Sequence, residues 1–430
     1  MKKKISTYAK ERNISYRKEL KDENYIRSSK LNLSFSNKEK LEKLIKVQKQ
    51  YTKLVNSFIE ILWLIPIDKI PSLLPKEVTS QIKSDCPARL VQCAGKQASG
   101  IVRGLFSKQK KRLYVYNKFI ENKQYKKARK LKKIIDSFIT SMPKLDSIPM
   151  ELDSRFVKID FENETSFDGW VTLSSILYKD KIILPIKRTK HFNKFYNNPE
   201  ATLLKGLRID KNNVTFMFSI PKKTNTNNKI LGIDIGALNV ISSSTGFQSP
   251  KGLGDIQKKI SRKRKGSKAF QKAIQERTNF INWSINQLNL KDVSCVKREN
   301  IKNLKKGKRS SNFLTAWTYP EIFDKLNRYC EEQNVSVLKI SPTYTSQRCS
   351  VCGWTRKSNR RGKEFKCTQC KHTEDADLNA SKNIALNLPE LGKKERLSKI
   401  NIKGFYWLEK GKECIASSVK ENQNTFLYFG

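Results

Sequence analysis

Four cysteines stand as two close pairs, Cys349-x2-Cys352 and Cys367-x2-Cys370, with fourteen residues between them. A pair at this spacing can form a turn that brings two thiolates to about 2.3 Å from one metal, and two such turns complete a tetrahedron around zinc. All four places are filled by protein, so no position is left for water, and this zinc is expected to be structural or substrate-guiding, not catalytic. Its binding, on the order of 10–16 kcal/mol in apparent terms, is coupled to folding. Taken alone, the pattern also fits a plain zinc ribbon with no enzyme around it.

Three carboxylates far apart in the chain form the second group able to do chemistry. Asp234 lies among apolar residues in LGIDIG; an aspartate buried there without a cation or a hydrogen-bond network costs several kcal/mol. Glu299 lies just past the end of DVSCVK, and Asp377 lies at the start of a helix in DADLNASKNIA. At two strand ends and a helix start, the three can converge, as they would on an RNase H-like sheet. Convergent carboxylates hold two magnesium ions about 3.5–4 Å apart, one activating water and the other stabilising the leaving oxygen of a phosphodiester. Each acid alone fits a quieter role: Asp234 bonding turn amides, Glu299 solvated, Asp377 capping its helix. Asp375, at the same helix start, competes with Asp377 as third ligand. The joint occurrence of the three acids around the cysteine pairs is what favours chemistry.

The rest of the inventory narrows the partners. The 430 residues are enough for two or three domains, and 87 Lys and Arg against 40 Asp and Glu give a formal charge of +47. Such an excess repels itself unless a polyanion neutralises it, which points to a long nucleic acid. An anionic membrane is the other basic-protein partner, but the longest apolar stretch, Phe58 to Ile67, is broken by Glu60 and Pro66 and is too short to span. The start, MKKKISTYAK, has no apolar run behind its charges, so no secretory signal is expected. Cys86, Cys93, Cys295, Cys330 and Cys414 are scattered and the total of nine is odd, a pattern of metal binding in a reducing compartment. We expect a protein of the cytoplasmic interior. Only His191 and His372 occur, too few for chemistry that needs a histidine base together with histidine ligands.

The elements that must position these groups fall into two textures. KLNLSFS (30–36) alternates like a strand, and the Ser36-x-x-Glu39 box predicts a helix start, with Leu41, Leu44, Ile45, Tyr51, Leu54, Val55, Phe58 and Leu62 on one side. Further helices are expected over 88–140, with Gly95, Gly100 and Gly104 permitting close helix packing. The runs FVKIDF, WVTLSSILY, KIILPI and VTFMFSI predict a small β-barrel that the early strand can join, making the helices an insertion. KKTNTNNK (222–229) reads as a polar linker. The C-terminal half is α/β: KILGIDIG as a buried strand with VISSS as its hairpin partner, a basic segment leading into a helix through Leu288, the strand DVSCVK, a helix from about Phe313 to Cys330, the strand VSVLKIS, and a last helix from Ala376 to about Leu388.

Basic residues interleaved with aromatics, in KKRLYVYNKF and NKQYKKARKLKK, suit phosphates with occasional base stacking. Lys110, Lys111, Arg112, Lys126 and Lys127 are candidates there, with Arg262, Lys263, Arg264 and Lys265 in the basic segment before the helix through Phe270. Charge runs are also ordinary solvated faces; the net charge is what raises the phosphate-facing reading.

At GIDIG, VKRENIKNL, ISPTYTSQRCSVCG, CTQC and DADLNASKNIA the sequence resembles the RuvC-containing nucleases of TnpB and of the miniature type V-F CRISPR effectors, over about residues 229–388. The resemblance implies that Asp234, Glu299 and Asp377 take the catalytic, magnesium-holding positions, and that Arg360, or less directly Arg361, in SNRRG reaches the active site to offset transition-state charge. A solvated ribbon tip is the plainer role for Arg360. The resemblance also implies a multidomain α+β fold: a basic tail (1–29), a first wedge strand (30–35), a helical recognition domain (36–148), a wedge β-barrel (149–221), a linker (222–228), an RNase H-like α/β RuvC domain (229–346 and 372–390) with an inserted zinc ribbon (347–371), and a C-terminal extension (391–430). A guide RNA and target double-stranded DNA are the implied partners, with the protein itself reading a short motif beside the target. Two copies on one guide are implied by the miniature CRISPR group.

The chain departs from that pattern at Lys297-Arg298, before Glu299, where apolar residues are usual, at Asp375, where the family has an uncharged residue, and in its extension, whose Phe405-Tyr406-Trp407 can pack on the core or pair subunits. The competing functions are a non-cutting RNA-guided DNA-binding regulator on the same fold, a transposon-associated TnpB nuclease, and a recombinase with similar carboxylates. None of the three acids is lost, which favours the enzyme.

Overall fold

The computed structural model describes residues 23–65, 70–140, 142–161, 165–174, 181–236, 239–301, 319–389, 391 and 403–409. The chain divides into two units, Met1–Pro221 and Lys222–Gly430.

In the first unit, alternating residues build a five-stranded antiparallel sheet. Strand β1 (Asn24–Asn32) pairs along its whole length with β8 (Asn213–Pro221), which buries Val214, Phe216, Phe218 and Ile220 on one face. The order continues to β7 (Leu207–Ile209) and β2 (Met150–Leu152), and β6 (Thr202–Leu203) also pairs with β8. A second antiparallel sheet joins β3 (Val157–Asp160), β4 (Gly169–Leu173) and β5 (Ile182–Ile186). Both sheets share one hydrophobic core, and among the described residues no strand pair links them, so the expected barrel is represented by two sheets. The first strand starts at Asn24, six residues before the expected Lys30. Its inward residue there is Ser29, 3.0 Å from His191 Nδ1, and a small polar residue in a core position hides the alternation.

Between β1 and β2 lie three long helices, α1 (Lys38–Trp63), α2 (Ala88–Glu121) and α3 (Tyr125–Thr140), with a single helical turn, Lys76–Thr79, between the first two. Trp63, Phe106 and Phe138, one from each, pack with ring centroids 5.2–5.5 Å apart. The expected capping box at Ser36 does not form: Asn37 takes the cap position and Glu39 pairs instead with Lys43 one turn on, at 2.9 Å. Of the three glycines on α2, only Gly95 serves close packing, where a methyl group would meet Leu74 and Phe58; Gly100 and Gly104 face open space.

In the second unit the sheet order is β10-β9-β11-β12. Strands β9 (Lys229–Asp234), β11 (Val293–Glu299) and β12 (Ser336–Ile340) are parallel, and β10 (Ser242–Ser243) is the antiparallel hairpin partner of β9. Helices α5 (Leu253–Ser261), α6 (Lys268–Asn286) and α7 (Tyr319–Glu332) follow, after the short α4 (Lys190–Tyr196) of the first unit. The basic segment is the end of α5 and the turn before α6, where Ser267 caps the Phe270 amide. The expected start of α7 at Phe313 lies outside the described residues. Asn225 in the polar linker donates to the carbonyls of Val293 and Asn334 at 2.8 and 3.0 Å, so those residues travel with the second unit. Among the described residues no cysteine is in a disulfide, and no helix is long and apolar enough to cross a membrane.

The ribbon consists of β13 (Trp354–Thr355) and the antiparallel β14 (Arg360–Arg361), β15 (Glu364–Lys366) and β16 (Thr373–Asp375). Helix α8 (Ala376–Ala385) follows directly and ends three residues before the expected Leu388. The extension contributes β17 (Phe405–Tyr406), which pairs with β13, while Trp407 packs with Leu391, Tyr344 and Leu388. The apolar end at 426–429 lies outside the described residues.

Candidate active site and zinc ribbon

Helix α8 can reach the sheet because Gly232 has no side chain. A methyl group there would strike the carbonyl of Ser381 and come within 2.5 Å of the Ala385 amide. The helix therefore lies on β9 and brings Asp377, in its first turn, to Asp234, the last residue of β9. Glu299 is the last residue of the neighbouring β11, opposite Ile340 of β12, and so sits within the strand and not beyond it. Asp234, Glu299, Asp377 and Arg360 all line one cavity of about 490 Å³, together with Gly236 and Lys363.

Asp375 and Asp377, two residues apart at the helix start, face different partners. Asp375 is the N-cap of α8: its Oδ1 accepts from the amides of Asp377 and Leu378 at 2.9 and 3.2 Å and from Gln248 Nε2 at 2.9 Å. That commitment leaves Asp377, 3% exposed in its side chain, to face the cavity. Its Oδ1 accepts from Arg360 Nη2 at 3.3 Å and its Oδ2 from the Lys363 ammonium. Gly236 lies so close that an added methyl would be 3.0 Å from that carboxylate.

Burial pushes the Asp234 carboxyl up to about 8, with like-charge repulsion from Glu299 and Asp377 adding to the shift and Arg360 opposing it. Burial also raises Glu299, against the Thr345 hydroxyl, which donates to Glu299 Oε1 at 2.5 Å, and the charge of Arg360. A cavity that gathers three acids at such cost has the hard oxygen donors that suit magnesium. The trio is more open than the cysteine set: among the described residues, the four cysteines are the only group of three or more His, Cys, Asp or Glu whose ligand atoms all lie within 4.8 Å of one another.

Those four sulfurs fit zinc. Cys349 and Cys370 Sγ are 3.7 Å apart and Cys352 and Cys367 Sγ 3.6 Å, close to the edge of about 3.8 Å that a tetrahedron with Zn–S of about 2.3 Å requires. Both pairs turn alike, with a left-handed residue after the second cysteine, Gly353 at φ 78° and Lys371 at φ 63°. The amide of each donates back to the carbonyl of the first cysteine of its pair, at 3.0 and 3.2 Å.

Helix α8 also holds the ribbon. Asn379 accepts from the Ser350 amide and donates to the Arg348 carbonyl, while Asn383 donates to the carbonyls of Thr345 and Arg348 and accepts from the Arg348 guanidinium at 2.6 Å. The helix that carries Asp377 thus grips the segment leading into the first cysteine pair.

Lys363, Thr345, Asn379, Asn383 and Gln248 were not among the residues singled out from sequence. Polar side chains at three- and four-residue spacing in DADLNASKNIA were the signal for the asparagines. Of the basic candidates, Arg262, Lys263, Arg264 and Lys265 share the second unit with this cavity but do not line it, and Lys110, Lys111, Arg112, Lys126 and Lys127 belong to the first unit. Lys110, Lys111, Lys126 and Lys127 are exposed on α2 and α3, with Arg112 half-buried, and Arg262, Lys263, Arg264 and Lys265 are exposed at the turn between α5 and α6.

Residues 319–384 match the family described as Cas12f1-like, TNB domain. The chain is 47% identical over 77 residues to the CRISPR-associated endodeoxyribonuclease Cas12f1 of Sulfoacidibacillus thermotolerans, covering 18% of each chain. It is 47% identical over 49 residues to InsQ of Escherichia coli (strain K12), covering 11% of this chain and 12% of that protein. The aligned part thus spans less than a fifth of these relatives. In fold, 84% of the chain is similar to 89% of the protein in the crystal structure of the AacC2c1-sgRNA binary complex, at a TM-score of 0.50 and 7% identity. In its matched segment, its cysteine pairs and the order of its acids, the chain is similar to the miniature type V-F and TnpB-like effectors.

Proposed function

We propose that this chain is an RNA-guided DNA endonuclease that hydrolyses phosphodiesters at a single acid site. The observation that carries the reading is the convergence of Asp234, Glu299 and Asp377, from two strands and a helix, on one cavity that Arg360 enters from the ribbon. Asp234, Glu299 and Asp377 would hold two magnesium ions. When bound, these supply an activated water and a Lewis acid for the leaving oxygen. Thr345 orients Glu299 through its hydroxyl, and Arg360 offsets charge on the scissile phosphate. The zinc at Cys349, Cys352, Cys367 and Cys370 is structural: it keeps the hairpin bearing Arg360 in shape. A guide RNA and target double-stranded DNA are the partners. The first unit and the basic turn between α5 and α6 hold their backbones, and two copies share one guide. The names of Cas12f1 relatives as endodeoxyribonucleases support the reaction class.

The test is to purify the full chain with co-expressed RNA, sequence that RNA, and incubate guide-matched duplex DNA with magnesium, beside Asp234→Ala. Guide-dependent cutting that the variant loses, with RNA and DNA binding kept, is the expected result. Specific DNA binding without any cutting by the wild type would replace the nuclease with a guided regulator.

A further inference from the structure

Asp377 already has both carboxylate oxygens engaged by cations, and the two cations are not alike. Arg360 also anchors itself through Nε to the Gly362 carbonyl at 3.1 Å, and its side chain is 31% exposed. Lys363 sits in the two-residue turn between β14 and β15, with its side chain 41% exposed. Its backbone is fixed, because its carbonyl accepts the Ala376 amide at 2.8 Å at the very start of α8. A fixed backbone under a long, flexible stem gives a side chain that can leave its partner while its root stays at the cavity. An ammonium is also a compact, strongly hydrated point charge, readily exchanged between one anion and another.

We propose that Lys363 is a displaceable counter-cation of Asp377, which keeps divalent cations weakly bound until a phosphate of the DNA draws the ammonium away. The inference rests on the acid site being the metal-dependent centre proposed above. An oxygen that accepts from an ammonium cannot also take a divalent cation without placing two positive charges side by side. Metal entry therefore requires Lys363 to leave Asp377, and a competing closed state lowers the apparent affinity by the fraction of time the site is free. A phosphate entering the cavity offers the ammonium a second anion. By reciprocity, DNA then tightens metal binding by the same factor that metal tightens DNA binding. The more open spacing of the acid trio agrees with a site whose third ligand is tied back by its own cations.

Manganese titration followed by electron paramagnetic resonance tests this on the full, zinc-loaded chain with its RNA. Wild type, Lys363→Met, Lys363→Gln and Asp234→Ala are compared with and without a phosphorothioate-substituted, uncuttable target. Both neutral Lys363 variants are expected to bind manganese about tenfold more tightly without DNA and to lose most of the tightening that DNA gives the wild type. Two variants guard against one that fails to fold. Unchanged or weaker binding by a folded Lys363 variant overturns the proposal, provided that Asp234→Ala has lost the site. Manganese binding by wild type that Asp234→Ala leaves intact overturns the metal-dependent reading itself, and this inference with it.

Discussion

The ammonium of Lys297 closes the far end of the helix whose first turn carries Asp377: it donates to the carbonyls of Ala385 and Leu386 at 3.0 and 2.9 Å and to the Asn387 side chain. A buried lysine thus serves the unsatisfied, negative end of α8, where positive charge is stabilising. Its neighbour Arg298 lays its guanidinium over the Phe323 ring, 3.7 Å from the centroid. The two basic residues that break the apolar pattern before Glu299 are both accounted for by packing. Lys297→Met is expected to lower stability by about 1–3 kcal/mol, since it leaves buried carbonyls without a donor. Chemical denaturation of the full chain measures this.

Gly232→Ala is predicted to be more severe. The added methyl would meet the backbone of α8 at Ser381 and Ala385, which no rotamer change can relieve. The helix must shift off β9 and carry Asp377 away from Asp234. Loss of more than about 2 kcal/mol and of all cutting is expected. A cutting rate within a factor of two of wild type would show that α8 does not need this contact.

The pH dependence of the metal-free site follows from Asp234. Its carboxyl is raised in the folded chain, so its contribution to stability is fully present below the ordinary aspartate value of 3.8 and is lost as pH rises through about 8. Between those values the melting temperature of zinc-loaded, magnesium-free protein should fall. Asp234→Asn, which cannot ionise, should flatten that slope and melt higher at the alkaline end. Thermal melts of the two proteins across this range, with and without magnesium, are the check; magnesium should restore the wild type.

Cys367→Ser should release zinc and, with it, the hairpin that presents Arg360 and Lys363. Zinc content is expected to fall to near zero and cutting to be lost, while the first unit keeps its resistance to protease. Metal analysis and limited proteolysis separate this outcome from general unfolding.

Much of the acid site was legible in the sequence because each acid lies next to an apolar run whose period betrays its element: LGIDIG as a buried strand, DVSCVK as another, DADLNASKNIA as a helix. That Asp375 caps the helix while Asp377 faces the cavity was not, because a cap and a cavity-facing acid look alike until the amides are counted. The start of β1 was hidden by inward-facing Ser29, and the missing capping box by the nearer attraction of Glu39 to Lys43. Lys363 could not be read at all: its role depends on a two-residue turn folding a lysine onto a helix fourteen positions later.

The strand Phe405–Tyr406 lies against Trp354–Thr355, with Gly404 pressed on the indole of Trp354 and Arg348 donating to the Trp407 carbonyl at 2.6 Å. The ribbon is thus completed by residues that follow its end by more than thirty positions. Residues 347–371 are therefore not an interchangeable cassette. A chimera that grafts a relative's cysteine pairs into this chain must bring the matching 403–409 segment as well, or it leaves an indole bare and one edge of the ribbon unpaired.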